Sequence, residues 1–125
     1  MVSFLYPFRK MRYSCQIYEI NHLKIENFVS VSMFDKLRGV NIGSLTFDPQ
    51  SGQVKDFNLN PVFSLFEIFI NDNIRKSDLT KIMINNVKNK IKTDKLIFGY
   101  KYTDECIISA GGIKINDDYV LPIEK

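Results

Sequence analysis

The stretch HLKIENFVSVSMFD, residues 22–35, shows the alternation of apolar and polar side chains that decides the fold of the first half of this chain. Val29, Val31 and Met33 stand at every second position, with serines between them. Successive side chains of a strand point to opposite faces, so this period of two predicts a strand with one buried face. The β-branched valines favour the same conformation.

Three further stretches around it also have the pattern of strands, and turn-forming residues separate them. Gly39 lies where a hairpin turn is needed, and DPQSGQ (48–53) combines a proline that fixes φ with a glycine that permits positive φ. We therefore predict a strand-rich first half. Its other strands are YSCQIYEI (13–20), in which Cys15, Ile17 and Glu19 share a face, and VNIGSLTFD (40–48). VKDFNLN (54–60) is either a further short strand or a continuation of the strand before it.

The second half opens with VFSLFEIFI, residues 62–70, which is almost wholly apolar. Its length and its aromatic and β-branched content predict a central strand covered on both faces, with a buried helical turn as the alternative. Glu67 interrupts this run. A carboxylate is costly to bury alone, so Glu67 either reaches solvent, pairs with a cation, or acts as a general base.

A helix is predicted next, because apolar residues keep a helical spacing and lysines lie between them. Ser77 or Asp78 is the predicted N-cap, since both side chains accept hydrogen bonds from the first free amides of a helix. The apolar residues in this pattern are Leu79, Ile82, Met83, Val87 and Ile91.

The C-terminal part continues with short elements. DKLIFGYKY (94–102) predicts a strand, TDECIISAGG (103–112) predicts a short helix with a glycine stop, and the remainder predicts a hairpin of two short strands. We expect a right-handed crossover to link the strands around residues 66 and 97 in a mixed sheet.

Composition limits the classes of function. The chain has 125 residues, 45% of them hydrophobic and 25% charged, as expected for one soluble domain. The net charge of +3 is too small to indicate a nucleic-acid binder. The basic and aromatic start FLYPFRKMRY (4–13) favours packing or an interface over contact with nucleic acid.

The cysteines and the apolar runs bear on the compartment. Cys15 and Cys106 are too few for a disulfide-rich secreted domain and lack the spacing of a metal site, so we predict a reduced, cytoplasmic protein without a bound metal. No apolar run reaches the roughly 18 residues of a membrane span. At the N terminus, charge follows the apolar residues, which is the reverse of a signal peptide. His22, the one histidine, is predicted to be structural.

The order of these elements resembles the GNAT superfamily of acyl-CoA-dependent N-acyltransferases over residues 28–118. The resemblance implies an α+β fold, with a mostly antiparallel twisted central sheet and a strand–helix–strand crossover, in a single domain. Its parts would be an N-terminal strand or arm (1–27), antiparallel strands (28–60), a strand–helix–strand–helix core (61–118) and a C-terminal strand (119–125). The stretches that carry it are FEIFINDNIRKSDLTKIM (66–83), KLIFGYKY (95–102) and TDECIISAGGIKINDD (103–118).

In that family an R/Q-x-x-G-x-G/A loop holds the pyrophosphate of acyl-CoA on backbone amides. Arg75 matches the first position here, but Asp78 and Thr80 stand where the two small residues are expected. A Cβ hinders the approach of phosphate to the backbone, and a carboxylate repels it. The positions of this degenerate cofactor loop are Arg75, Lys76, Ser77, Asp78, Leu79 and Thr80.

The resemblance also implies a tyrosine that protonates the departing thiolate. Its place, four residues before Gly112, is occupied by Ile108, which cannot donate a proton. Tyr100 and Tyr102 lie nearby in the sequence, and either is a candidate substitute, although a tyrosine on a late strand is more often part of the core. If the chain were an enzyme, Glu67 and Tyr100 would be its catalytic residues.

Two functions follow from these departures. The first is a GNAT-like protein that has lost acyl-CoA chemistry, has no cofactor, and binds another protein as a toxin-neutralising (immunity) or regulatory partner, with a homodimer as a further expectation. The second is a small acyltransferase that uses acetyl-CoA, another acyl-CoA or acyl-carrier protein. A third interpretation is an α+β domain outside the GNAT superfamily that only mimics its order.

Overall fold

Seven strands and two α-helices make up the part of the chain that the computed structural model describes, residues 12–22, 26–60, 76–99 and 105–124. A single turn of 3-10 helix, Lys88–Lys90, extends the first helix. The strands are β1 (Tyr13–His22), β2 (Glu26–Asp35), β3 (Val40–Phe47), β4 (Val54–Leu59), β5 (Lys95–Phe98), β6 (Ile113–Ile115) and β7 (Asp118–Pro122), and the helices are α1 (Lys76–Val87) and α2 (Glu105–Ser109).

The first four strands form an antiparallel sheet in sequence order, β1-β2-β3-β4. On β2, the side chains of Val29, Val31 and Met33 are buried, whereas Ser30 lies on the other face and accepts a hydrogen bond from Thr46 Oγ1 at 3.0 Å. The alternation predicted for residues 22–35 is therefore confirmed. The strands predicted at 13–20, 40–48 and 54–60 are confirmed as β1, β3 and β4.

Both predicted turns contain a glycine with positive φ. Gly39 has φ 69° between β2 and β3, and Gly52 has φ 78° between β3 and β4. The Gly39 amide donates to the Asp35 carbonyl at 2.8 Å, and the Gly52 amide donates to the Asp48 carbonyl at 2.8 Å. These conformations strain any residue that carries a Cβ, which explains the glycines.

A second, smaller antiparallel sheet has the order β5-β7-β6. It touches the first sheet at a parallel bridge between Gln53 and Ile97, where the Ile97 amide donates to the Gly52 carbonyl at 2.8 Å. The C-terminal strand and hairpin predictions are thus confirmed as β5, β6 and β7.

One cluster of buried side chains draws on both sheets and both helices. Leu79, Met83 and Val87 of α1 are fully buried in it, so the helical spacing predicted for this segment is confirmed. The rings of Phe57 on β4 and Phe98 on β5 pack edge to face with centroids 5.4 Å apart. The two sheets therefore share a core.

Helix α2 ends as its sequence predicts. Gly111 has φ 113°, and the Gly112 amide donates to the Ile107 carbonyl at 2.8 Å, which closes the helix with a left-handed glycine. Within the described ranges, no helix is long and apolar enough to cross a membrane.

The predicted fold class is wrong. Strands hold 51% and helices 23% of the described residues, and the strands divide into a four-stranded and a three-stranded sheet in place of one central sheet. With α1 and α2 as its helices, this arrangement is not the helix-rich α+β layout that the resemblance to GNAT enzymes implied. The division arises because the four-residue β5 pairs along its length with β7 and meets the first sheet at the bridge to Gln53. The central strand predicted at 62–70 lies outside the described residues.

Candidate functional site

The start of α1 holds five of the six residues that the sequence assigned to a phosphate-binding loop. The helix begins at Lys76, so Ser77 and Asp78 lie inside its first turn and not at the predicted N-cap position. Leu79 and Thr80 are fully buried. The Thr80 hydroxyl donates to the Lys76 carbonyl at 2.7 Å. Residues 76–80 are therefore helical, and their contact with a cofactor stays a prediction.

The other predicted site residues are distributed differently. Glu67, Arg75 and Tyr100 lie outside the described residues, so their catalytic or binding roles stay predictions. Ile108, at the position of the expected tyrosine, is 51% exposed on α2. Gly112 is explained by local packing, because a Cβ there would lie 2.7 Å from the Ile107 carbonyl oxygen.

The outer border of β1 is a surface feature that sequence reasoning missed. We name residues 16–20 of this strand the β1 edge. Among the described strands, β1 has β2 on one side and lies at the end of the sheet. All five side chains of the β1 edge are exposed. Three of them are large and apolar, with exposed fractions of 41% for Ile17, 46% for Tyr18 and 43% for Ile20.

The β1 edge is apolar on both faces of the sheet. Residues directly opposite each other on paired strands share a face. Ile17 lies opposite the buried Val31 and so belongs to the core side, whereas Ile20 lies opposite Phe28 on the other side. A chain that paired with β1 would contact apolar side chains above and below its own plane.

β1 also lacks the features that normally protect an edge strand. Such strands are usually interrupted by lysine, proline or a β-bulge. YSCQIYEINH contains no lysine and no proline, and its ten residues pair with β2 without a shift in register. Its one acidic residue, Glu19, accepts a hydrogen bond from Lys90 Nζ at 3.1 Å. Because edge strands usually carry these features, the sequence of β1 gives no signal that it lies at an edge.

The cysteines do not form a reactive or metal-binding centre among the described residues. Neither cysteine forms a disulfide, Cys106 is buried, and burial raises the pKa of Cys15 from 9.0 to about 11. A raised pKa lowers the thiolate fraction that nucleophilic attack requires. No group of three or more His, Cys, Asp or Glu residues in the described ranges could hold a metal ion.

Comparison with known proteins adds no functional assignment. The chain matches no protein-family model, no curated protein and no solved structure. Inference about its function therefore depends on the geometry of its own residues, and the β1 edge is the described feature with the clearest capacity to bind a partner.

Proposed function

We propose that this protein acts by binding another protein, which it neutralises or regulates, and that the partner adds an extended segment to the β1 edge. The observation that carries the proposal is the outer border of β1, which pairs with no strand in the described part of the chain and exposes the apolar side chains of the β1 edge. An edge strand directs alternate amide and carbonyl groups outward, where they pair with an added strand.

Side chains on the two faces supply the specificity of this binding mode. Backbone hydrogen bonds are the same for every sequence, so recognition depends on the pockets that receive alternate side chains. Ile17 contacts the partner on one face of the sheet, and Tyr18 and Ile20 contact it on the other. Tyrosine is common among residues that dominate binding energy at interfaces.

The test compares lysine substitutions at two exposed apolar positions of the β1 edge with one at an exposed apolar position elsewhere. Partners are first captured from extracts of the source cells, and the affinity of each purified partner is then measured by calorimetry. Tyr18→Lys and Ile20→Lys each place a charge in the proposed interface, and we expect each to weaken binding by about tenfold or more. Leu37→Lys is the matched control, because Leu37 is 64% exposed in the turn after β2.

Two outcomes would contradict the proposal. A partner that binds wild type and both β1 variants equally binds elsewhere on the protein. If no captured protein binds again after purification, the proposal that this protein acts by binding another protein is contradicted. A second copy of the chain is the competing occupant of the β1 edge. Sedimentation of the purified protein detects it as a dimer that Ile20→Lys dissociates.

A further inference from the structure

A groove of about 440 Å³ lies between α1 and the end of β7, and no residue of the β1 edge lines it. Ile84 of α1, Leu121 of β7 and Ile123, which follows β7, give it an apolar floor. Pockets for small ligands in proteins have volumes of roughly 300–1,000 Å³ and are mostly apolar with a few polar groups. The groove fits that description in size and in chemistry.

Two lysines, one in α1 and one at the start of the 3-10 turn that extends it, line the wall of this groove that we call the α1 wall. Lys81 and Lys88 are seven residues apart, which is close to two helical turns, or about 10 Å along the axis. Within the described ranges, neither ammonium group makes an ion pair. Glu124 lines the opposite side, so the groove carries a net positive charge and its positive side is α1.

We propose that this groove binds a single-chain carboxylate with an apolar tail, of about the size of octanoate. The tail lies on Ile84, Leu121 and Ile123, and the carboxylate lies against the α1 wall at Lys81 or Lys88. The apolar floor disfavours a small inorganic anion, which would lose its hydration without gaining apolar contact. The two unpaired ammonium groups favour an anion over an uncharged lipid or an amine.

The test is a titration of the full-length protein with octanoate, followed by amide and methyl NMR signals. We expect shifts confined to residues 81–88 and 121–124, with saturation at millimolar octanoate. Octylamine has the same tail and the opposite charge, and we expect no saturable shift at these residues. The double variant Lys81→Gln/Lys88→Gln should weaken octanoate binding by about tenfold, because it removes one partly desolvated contact between an ammonium group and the carboxylate.

The matched control is Lys36→Gln/Lys114→Gln, which removes two exposed lysines that do not line the groove. Its affinity for octanoate should equal that of wild type. Equal affinity of the Lys81→Gln/Lys88→Gln variant would overturn the proposal, because the charge contact would then be absent. Shifts elsewhere in the chain, no saturation in the millimolar range, or equal binding of octylamine would overturn it as well.

Discussion

Arg12 and Asp35 form a buried, two-pronged ion pair that fixes where β1 begins. Arg12 Nε donates to Asp35 Oδ1 at 3.0 Å and Arg12 Nη2 donates to Oδ2 at 2.7 Å. Asp35 Oδ1 also accepts the Leu37 amide at 3.0 Å. Both charged side chains are at least 95% buried. One carboxylate therefore holds the start of β1 and the turn after β2 together.

Removing this carboxylate should be strongly destabilising. In Asp35→Ala, Arg12 stays buried and loses both hydrogen bonds to this carboxylate, and breaking a buried pair in this way costs about 3–5 kcal/mol. Urea denaturation measures the free energy of unfolding. Asp56→Ala is the control, because Asp56 is exposed on β4 and its loss should change stability by less than about 0.5 kcal/mol. A loss below 1 kcal/mol in Asp35→Ala would mean that the pair contributes little.

The Cys15 thiol should ionise at a higher pH in the folded protein than in the unfolded chain. Burial raises its pKa from 9.0 to about 11, so at pH 8 the folded chain has about a hundredfold less thiolate than the unfolded chain. The rate of alkylation by iodoacetamide should therefore reach half of its maximum near pH 9 in urea and near pH 11 in the folded protein. Mass spectrometry of the Cys15 peptide gives the rate. A half-maximal rate near pH 9 in the folded protein would contradict the raised pKa.

The beginning of α1 shows, at the scale of an element, why the loop prediction and the structure differ. Asp78 lies in the first turn, where a negative charge favours the helix by about 0.3–1 kcal/mol. Leu79 begins the buried stripe of the helix in the next position. Asp78, one of the two residues that depart from the GNAT loop, is thus a good residue for the start of a helix.

Acetyl-CoA should not stabilise this protein. Residues 76–80 are helical. Leu79 and Thr80 are fully buried, so a phosphate cannot reach the backbone of these two residues. We expect the melting temperature to stay constant up to millimolar acetyl-CoA in a thermal-shift titration. A ligand at 100 times its dissociation constant adds about 2.7 kcal/mol, so a rise of several degrees would contradict this expectation and favour the acyltransferase alternative.

At the scale of the whole molecule, Gly52 is the point where the two sheets meet. Its carbonyl accepts the Ile97 amide at 2.8 Å, and a Cβ on Gly52 would lie 2.2 Å from the Lys95 carbonyl oxygen. The close approach of β5 to this turn therefore requires glycine for space as well as for positive φ.

Gly52→Ala should cost more stability than Gly39→Ala. Both glycines have positive φ, but a Cβ on Gly39 meets no heavy atom within 4 Å. We expect Gly39→Ala to cost about 1–2 kcal/mol from backbone strain alone, and Gly52→Ala to cost about 2–4 kcal/mol because the clash adds to it. Urea denaturation of the two variants gives the comparison. Equal losses would mean that β5 moves away from Gly52 at no cost.

Local sequence signals predicted most of the elements but not how they assemble. Some signals act over only a few residues and can therefore be recognised in the sequence. They are the period of two in β2, the turn glycines Gly39 and Gly52, and the glycine stop after α2. The division into two sheets depends on whether β5 pairs with β4 or with β7, which is a competition between segments far apart in sequence. The exposure of the β1 edge likewise depends on which segment pairs with the outer side of β1, and no local pattern within β1 specifies that. For that reason the candidate site was missed while its strand was predicted.

The sequential order of the first sheet has a kinetic consequence. Each of its strands pairs with the next one along the chain, so β2, β3 and β4 join through the short turns at Gly39 and Gly52. Pairing of β5 with β7 must instead close a loop that contains α2 and β6. Because short loops close with less loss of entropy, proteins rich in local contacts fold faster. We expect the first sheet to assemble early and to serve as the surface on which β5 and β7 later pair.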